Sequence, residues 1–229
     1  MQNAGDRADQ QSGAALVAAL GSGDAKPIPA WVTELGIVDR PTGLVAAKAS
    51  LSLLSKAGAT ALKRTSPNLT IAATLMCGLV TRAVGLHQAA VDALEKDNPY
   101  AAFTLIRAYA ENAAAFLYAN DKPDKVGKML GLNGNSVKVG QITSHATQSK
   151  KFGAFKQIYS ELSEYGHPQP KSFSASMVIE GNRFQWSSTP AFRATGNDFV
   201  MACAWVVELA EVHTPLILGF ADVQGWPAL

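Results

Sequence analysis

The sequence predicts a mainly α-helical protein, a helical bundle with one β-hairpin packed on it between the penultimate and last long helices. Three observations support this prediction. Apolar residues recur at intervals of three and four along several long segments, which is the spacing of one helix face. Prolines fall mostly between those segments, where they do not interrupt a helix. One short stretch near residue 175 instead alternates apolar and polar residues, as a strand does.

The N-terminal part of the chain predicts a flexible tail followed by helices. Residues 1–30 are rich in small and polar residues, with one short helix expected at Gly13–Leu20. Two prolines near the end of this tail break any longer helix. Trp31–Leu35 is expected to form a short helix. Gly43–Arg64 is expected to form the first long helix, with Thr42 as its N-cap.

Two further long helices are expected in the middle of the chain. Ser66 is a suitable N-cap and Pro67 suits the first helical position, so the second long helix should run from Pro67 to about Lys96. The third should run from Tyr100 to Asn120. A helix that is small and apolar nearly all round is usually covered on several sides, so we expect this third helix in the middle of the bundle. Its core stripe should consist of Ala102, Ile106, Tyr109, Ala113, Phe116 and Leu117.

The C-terminal half predicts short helices, a hairpin and a last long helix. The short helices are expected at about 123–130, 136–149 and 154–165. A hairpin is expected at about 172–187, with Gly181-Asn182 as its two-residue turn. A lone hairpin is not stable in water, so it should lie on the helices.

The last long helix is expected to run from about Gly196 towards Thr214. Thr195 and Asp198 resemble a capping box at its start. Pro215 should kink or end it, or leave a further turn at Leu216–Phe220. Residues 31–229 are therefore expected to form a single helical domain.

Composition limits the classes of function. The net charge of +2 provides no strong field for nucleic acid or for an anionic membrane. The acidic residues near the start do not fit a signal peptide, and no uncharged stretch reaches transmembrane length. A cytoplasmic protein without membrane contact is therefore expected. Cys77 and Cys203 have apolar, helix-periodic surroundings and are expected to be buried thiols. No metal-ligand spacing and no phosphate-binding glycine loop occurs, so neither metal nor cofactor is expected.

A polar stripe on the third helix is the first candidate site. Arg107 and Glu111 are four residues apart and share one narrow face with Tyr118, at the edge of the core stripe. Burying such charges is costly unless they are paired. His167 precedes Pro168, so its extended backbone can turn the ring back towards Arg107 or Glu111. The group is either a buried ion pair that fixes helix register or a polar binding site between helices.

A second candidate is an arginine and a histidine separated by four residues, Arg82 and His87. In one class of helical nucleases this spacing supplies RNA-cleaving residues. On a regular helix, a separation of five positions places the two side chains about 140° apart. They would meet on one phosphate only if the helix broke or if a second subunit contributed.

The two candidate regions resemble a known pattern. A broad set of helical bacterial proteins of uncharacterised activity, some of them distantly similar to HEPN proteins, share the pattern LxRxxxE…YxxLSxxxHP. The match covers about residues 70 to 170, and its defining residues here are Leu105, Arg107, Glu111, Tyr159, Leu162, Ser163, His167 and Pro168. The resemblance implies one shared polar centre and a role in phage defence or stress responses. The sequence departs from the HEPN nuclease pattern, because no polar residue follows Arg82 and the arginine–histidine string is not on the last helix.

Three functions follow as hypotheses. The first is a non-enzymatic interaction or regulatory protein that forms a homodimer or higher oligomer or binds a protein partner, because large charge-poor helical faces often pair with a copy of themselves. The second is an HEPN-like RNase in which Arg82 and His87 of two subunits converge, and only this one involves nucleic acid. The third is a bundle in which an arginine grips a small anionic ligand. Its binding residues would be Arg107, Glu111, Tyr118 and His167.

Overall fold

The computed structural model describes residues 27–65, 70–132, 134–153, 155–173, 175–180, 183–193 and 196–228. The predicted tail, apart from its last few residues, lies outside these ranges. So do the predicted helix at Gly13–Leu20, the caps at Ser66 and Thr195, and the turn at Gly181-Asn182. Within the described ranges the chain is mainly helical with one pair of short strands, which confirms the predicted helical bundle.

The elements follow one another in the order expected for a bundle with a hairpin before its last helix. The helices are α1 (Ala30–Glu34), α2 (Arg40–Lys63), α3 (Ile71–Glu95), α4 (Pro99–Asp121), α5 (Val126–Met129), α6 (Val139–Ser149), α7 (Phe155–Gly166), α8 (Pro170–Phe173) and α9 (Asp198–Val223). A 3-10 turn at Pro123–Lys125 precedes α5, and the strands are β1 (Met177–Glu180) and β2 (Arg183–Trp186).

A capping box fixes the start of α2. The Asp39 carboxylate accepts a hydrogen bond from the backbone N–H of Thr42 at 2.8 Å, and the Thr42 hydroxyl accepts one from the N–H of Asp39 at 3.1 Å. This reciprocal pair satisfies two backbone donors that a helix start leaves open. The helix therefore begins at Arg40, and the predictions of Thr42 as the N-cap and of Gly43 as the first helical residue were wrong.

Side-chain caps also begin α3 and α4. Thr70 has an extended backbone, and its hydroxyl accepts from the N–H of Ala73 at 3.0 Å. The second long helix therefore starts after Thr70, and the predicted start at Pro67 was wrong. Asn98 caps α4, and Pro99 occupies the first turn, where its missing N–H leaves no bond unmade.

Helix α4 lies in the middle of the bundle, as predicted. It packs against four long or medium helices, α3, α6, α7 and α9. Every residue of its predicted core stripe is at most 2% exposed. Alanines fill most of the buried positions beside this stripe, which lets neighbouring helices approach from several sides: Ala110, Ala114, Ala115 and Ala119 are all buried.

Helix α9 continues through Pro215 to Val223, so the proline does not end it. A proline removes one intrahelical hydrogen bond. Close to it, the Thr214 hydroxyl donates to the carbonyl of Ala210 at 3.1 Å, and the Asn120 amide donates to the carbonyl of Leu216 at 3.0 Å. Among the described helices, α9 alone is long and apolar enough to cross a membrane, but 56% of its most apolar stretch is buried inside the fold, as in any core helix.

The hairpin is shorter than predicted. Strand β1 pairs antiparallel with β2, with Met177 opposite Trp186 and Glu180 opposite Arg183. The residues before β1 are not extended, since Phe173 ends helix α8. The Tyr100 hydroxyl on α4 donates to the carbonyl of Ser172 at 2.7 Å and so ties this segment to the bundle.

The two cysteines differ in their exposure. Cys203 on α9 is buried, as predicted, but Cys77 on α3 is exposed, so the prediction that both thiols are buried was wrong. Its neighbours Leu75 and Met76 are the residues that turn inwards at this point of α3. Both cysteines are free thiols.

A small polar group lies inside the core around α4. The imidazole of His213 is fully buried and stacks on the ring of Tyr109, with ring centroids 4.6 Å apart. Its Nδ1 lies 2.6 Å from the carbonyl oxygen of Leu209, and the Asn112 amide approaches its Nε2 at 3.2 Å. Because the carbonyl oxygen can only accept, Nδ1 carries a proton, and because Nε2 accepts from the Asn112 amide N–H, Nε2 carries none, so the ring is neutral.

This polar core predicts a loss of stability in weak acid. Burial holds the pKa of His213 down at about 4 and also lowers the pKa of His87. Below the ordinary histidine value of about 6.5, the unfolded chain takes up protons that the folded chain does not. The free energy of unfolding should therefore fall between pH 6.5 and 4, by roughly 3 kcal/mol for His213.

The measurement is urea unfolding at several pH values for the native chain and for His213→Gln. The variant should lose less stability than the native chain over the same pH interval. Equal slopes in the two proteins would contradict this assignment.

Close packing of α2 on α3 yields a second prediction. A Cβ built at Gly58 would lie 2.8 Å from Cγ1 of Val80, whose β-branched side chain cannot easily move aside. Gly58→Ala should therefore lower the free energy of unfolding by about 1 kcal/mol despite the better helix propensity of alanine. Gly85→Ala on α3 is the matched control, since nothing lies within 4 Å of its Cβ, and it should be neutral or stabilising. Urea unfolding of both variants gives the comparison, and similar effects would contradict the predicted clash.

Candidate functional site

The structure brings Arg107 and His167 together. Arg107 lies on α4, and α7 packs against α4 so that His167, the residue after α7, turns back over it. Nη1 of Arg107 is 3.1 Å from Nε2 of His167. A guanidinium can only donate, so Nε2 accepts, and the proton of a neutral ring is then on Nδ1.

Tyr159 joins this pair to Glu111. Nη2 of Arg107 donates to the Tyr159 hydroxyl at 2.9 Å, and that hydroxyl donates to Oε1 of Glu111 at 2.7 Å. Nε of Arg107 lies 3.5 Å from the same carboxylate oxygen. We call Arg107, Glu111, Tyr159 and His167 the α4–α7 network. It ties the central helix to α7 and to the loop that follows.

The charges of the α4–α7 network cancel within it. The side chains of Arg107 and Glu111 are 27% and 23% exposed, so the pair is half-buried rather than sealed in the core. Burial raises the pKa of Tyr159, the guanidinium of Arg107 lowers it, and Glu111 raises it further. The phenol therefore stays protonated and can donate to the carboxylate. The network therefore holds the Tyr159 side chain in place through hydrogen bonds from Arg107 and to Glu111.

Tyr118 does not belong to this group. Seven positions along α4 separate it from Glu111, which is a rise of about 10 Å. Its ring meets that of His145 edge-on, with centroids 5.3 Å apart, and His145 in turn lies 2.9 Å from Asp121. The structure therefore places three of the four predicted binding residues together and the fourth elsewhere.

Arg82 and His87 do not converge. Arg82 is exposed on α3, whereas His87 is 1% exposed and its Nε2 lies 2.9 Å from the carbonyl oxygen of Ala47. His87 points into the core while Arg82 faces solvent, so the two side chains of one chain cannot meet on one phosphate. A buried imidazole cannot reach a phosphate on a second subunit without opening α2 from α3.

A cavity of about 270 Å³ lies beside the α4–α7 network. Helices α7 and α9 both pack against α4 but make few contacts with each other, which leaves a gap between them. Ala110 and Ala113 of α4 form its floor. We call this gap the α4–α7–α9 cavity.

The walls of the α4–α7–α9 cavity are mostly apolar and aromatic. On one side the rings of Phe152, Phe155 and Tyr159 form a ladder with successive centroids 5.5 and 5.6 Å apart. The other side is formed by α9, on which Trp205, Leu209 and Val212 lie one turn apart. Tyr159 thus belongs both to the wall and to the network.

Two charged residues complete the lining, Lys151 and Glu208. Lys151 forms an ion pair with Asp121. Burial raises the pKa of Glu208, and the neighbouring carboxylate of Glu211 raises it further. Among the described residues, Glu208 makes no hydrogen bond or ion pair.

Sequence analysis missed the cavity and the role of Tyr159. The spacing of Phe152, Phe155 and Tyr159 at three and four positions is that of a core stripe, so it does not distinguish them from ordinary core residues. The signal that could have identified Tyr159 is its hydroxyl, since a buried tyrosine requires a polar partner. Within the described residues no cluster of three or more histidines, cysteines or carboxylates could hold a metal ion.

Comparison with protein-family models, with curated proteins and with solved structures found no match. The resemblance to helical bacterial proteins therefore remains a prediction from the two short motifs. The geometry of the α4–α7 network and of the adjoining cavity is what bears on function.

A double-mutant cycle tests the α4–α7 network. Tyr159→Phe removes only the hydroxyl and should lower the free energy of unfolding by about 1 kcal/mol. With Arg107→Leu it should show a coupling energy of about 0.5–2 kcal/mol, because both side chains act on one carboxylate. The control pair is Arg107→Leu with Tyr118→Phe, whose coupling should be near zero. Urea unfolding of all variants gives both values, and equal coupling in the two cycles would contradict the network.

Proposed function

We propose that this chain is a non-catalytic binding protein that holds a small, predominantly apolar molecule in the α4–α7–α9 cavity. The observation that carries the proposal is a cavity of about 270 Å³ with aromatic and aliphatic walls and two charged residues in its described lining. Ligand pockets in proteins are mostly apolar with a few polar groups that fix orientation, and their volumes begin at about 300 Å³. The cavity has this apolar character and lies at the small end of this range of volumes, so it suits a small ligand.

The α4–α7 network supports the proposal by holding one wall in place. Arg107 donates to the Tyr159 hydroxyl, and the centre of its guanidinium lies 5.0 Å from the centroid of the Tyr159 ring. Glu111 accepts from the same hydroxyl. A wall fixed in this way reduces the side-chain entropy that a ligand has to remove on binding.

Binding is favoured over catalysis by the residues that face the cavity. Its described lining contains no serine, cysteine or histidine to act as nucleophile or base. The proposal therefore keeps the non-enzymatic, regulatory role expected from the sequence and adds a ligand to it. A cytoplasmic location and a role in phage defence or stress are further proposals that rest on the sequence alone.

The other two hypotheses receive less support from the geometry. An anionic ligand at Arg107 would compete with Glu111, which already neutralises the guanidinium. The RNase hypothesis needs an accessible His87, and that side chain is 1% exposed.

Blocking the cavity tests the proposed function. Val212 lies at the wall on α9, and Val212→Trp should fill the space and abolish binding of an apolar probe such as 2-naphthylmethanol. Val223→Trp is the matched control, because Val223 is on the same helix, is 46% exposed and lies outside the lining. Titration calorimetry on the native chain and both variants is the measurement. Unchanged binding in Val212→Trp would place the probe elsewhere, and no binding to the native chain would refute the proposal.

Self-association is a second proposal, and the hairpin favours it. Strands β1 and β2 pair only with each other among the described residues, so each keeps one open edge, and Trp186 is 65% exposed. Open edges and an exposed aromatic residue favour pairing with a second copy of the chain. Trp186→Ser should therefore shift the chain towards monomer in sedimentation analysis. Leu62→Ser, at a position 52% exposed on α2, should not, and a native chain that stays monomeric at high concentration would exclude the proposal.

A further inference from the structure

Glu208 gives the α4–α7–α9 cavity a carboxylate that pairs with none of the described lining residues. It lies on α9 one turn from both Trp205 and Val212, so all three side chains share the face that lines the cavity. Lys151, the other charged residue of the lining, is bound to Asp121. In the described part of the chain Glu208 has neither an ion-pair partner nor a hydrogen bond.

This carboxylate weakens the folded state. Burial and the neighbouring Glu211 both raise the pKa of Glu208 above its ordinary value. Near neutral pH the ionised side chain is therefore less stable in the folded chain than in the unfolded one. A charged group that opposes folding and faces a cavity is typical of a residue that serves a ligand rather than the fold.

The aromatic walls add a second preference for positive charge. The face of an aromatic ring carries negative potential, and a cation within about 6 Å of the ring centroid is attracted to it. The cavity is lined by the rings of Phe152 and Phe155 on one side and that of Trp205 on the other, while the Tyr159 ring already has the Arg107 guanidinium over it. An unpaired carboxylate in a cavity lined by aromatic rings is an environment in which ammonium groups bind.

We infer that the ligand of the α4–α7–α9 cavity is an amphiphile with one positively charged nitrogen, a primary or quaternary ammonium, on an apolar body. The inference rests on the proposed function of the cavity. The ammonium binds at Glu208, and the apolar body fills the space between the aromatic walls and the floor at Ala110 and Ala113. A carboxylate ligand would be repelled by Glu208, and a neutral one would leave that charge unpaired.

Three probes with the same apolar body test this inference. They are 2-naphthylmethylammonium, 2-naphthylmethanol and 2-naphthoate, titrated into the native chain by calorimetry at pH 7.5. The ammonium should bind about tenfold more tightly than the alcohol, a difference of about 1.4 kcal/mol, and the carboxylate should bind most weakly. Equal binding of ammonium and alcohol, or tighter binding of the carboxylate, would overturn the inference.

A conservative variant locates the charge. Glu208→Gln should abolish the advantage of the ammonium and leave binding of the alcohol unchanged. Glu211→Gln is the matched control, since Glu211 is an exposed carboxylate on the same helix outside the lining, and it should keep most of the advantage. An ammonium advantage that survives Glu208→Gln, or that is lost equally in both variants, would overturn the assignment.

The thermal stability of Glu208→Gln is an independent test, because a ligand-binding role and a structural role of Glu208 predict changes of opposite sign. If Glu208 opposes folding, Glu208→Gln should raise the midpoint of thermal unfolding without ligand, whereas loss of a structural partner would lower it. The two proposals also fail differently. If none of the three probes binds, the proposed function fails. If the alcohol binds and the ammonium has no advantage, only the inference about charge fails.

Discussion

The crowding of neighbours around α4 is the constraint on which the rest of the structure depends. A helix that packs against four others exposes little of its surface to solvent. Large side chains on every side would keep those neighbours apart. Alanine therefore occupies most of the buried positions outside the core stripe. Where two alanines, Ala110 and Ala113, meet two helices that diverge, the small side chains leave space. The cavity thus arises from the same composition that makes the bundle compact.

The polar side chains of α4 divide into two groups with different tasks. Asn112 lies inside the core and contacts His213, so its amide contributes to holding α4 against α9. Arg107 and Glu111 lie at the rim and hold Tyr159, so their charges connect α4 to α7. Half-buried pairs of this kind contribute more to the choice of one arrangement than to stability, because desolvation offsets most of their attraction. Helix α4 is therefore joined to α9 by a buried amide–imidazole hydrogen bond and to α7 by a half-buried charged network.

The sequence was sufficient for the fold and for part of the candidate site. Long stripes of apolar residues predicted that α2, α3, α4 and α9 exist and where their middles lie, and the alternation after residue 175 located the strands. Helix starts were less predictable, because Thr42 and Asp39 are both good caps and only geometry decides between them. The approach of His167 to Arg107 followed from a histidine held extended by the next proline.

The remainder could not be predicted from local patterns. The cavity is a gap between α7 and α9, and the angle between two helices that meet a third is set by contacts distant in the sequence. Tyr159 has the spacing of a core residue, and its second role appears only when Glu111 lies within reach of its hydroxyl. Glu208 stands in a charge-poor helix, yet nothing local distinguishes it from the exposed Glu211. Tyr118 satisfied the helical spacing but lies too far along α4 to join the group.

The unequal cysteines give the native chain a practical property. Burial raises the pKa of the Cys203 thiol, and a Cβ on Gly43 would lie within 3.2 Å of its sulfur, so reagents have little room to approach. Cys77 is open to solvent, and the sequence contains no third cysteine. A maleimide dye or a nitroxide will therefore attach to one defined point on α3 without any substitution. Spectroscopic distances within the native bundle can be referred to that point.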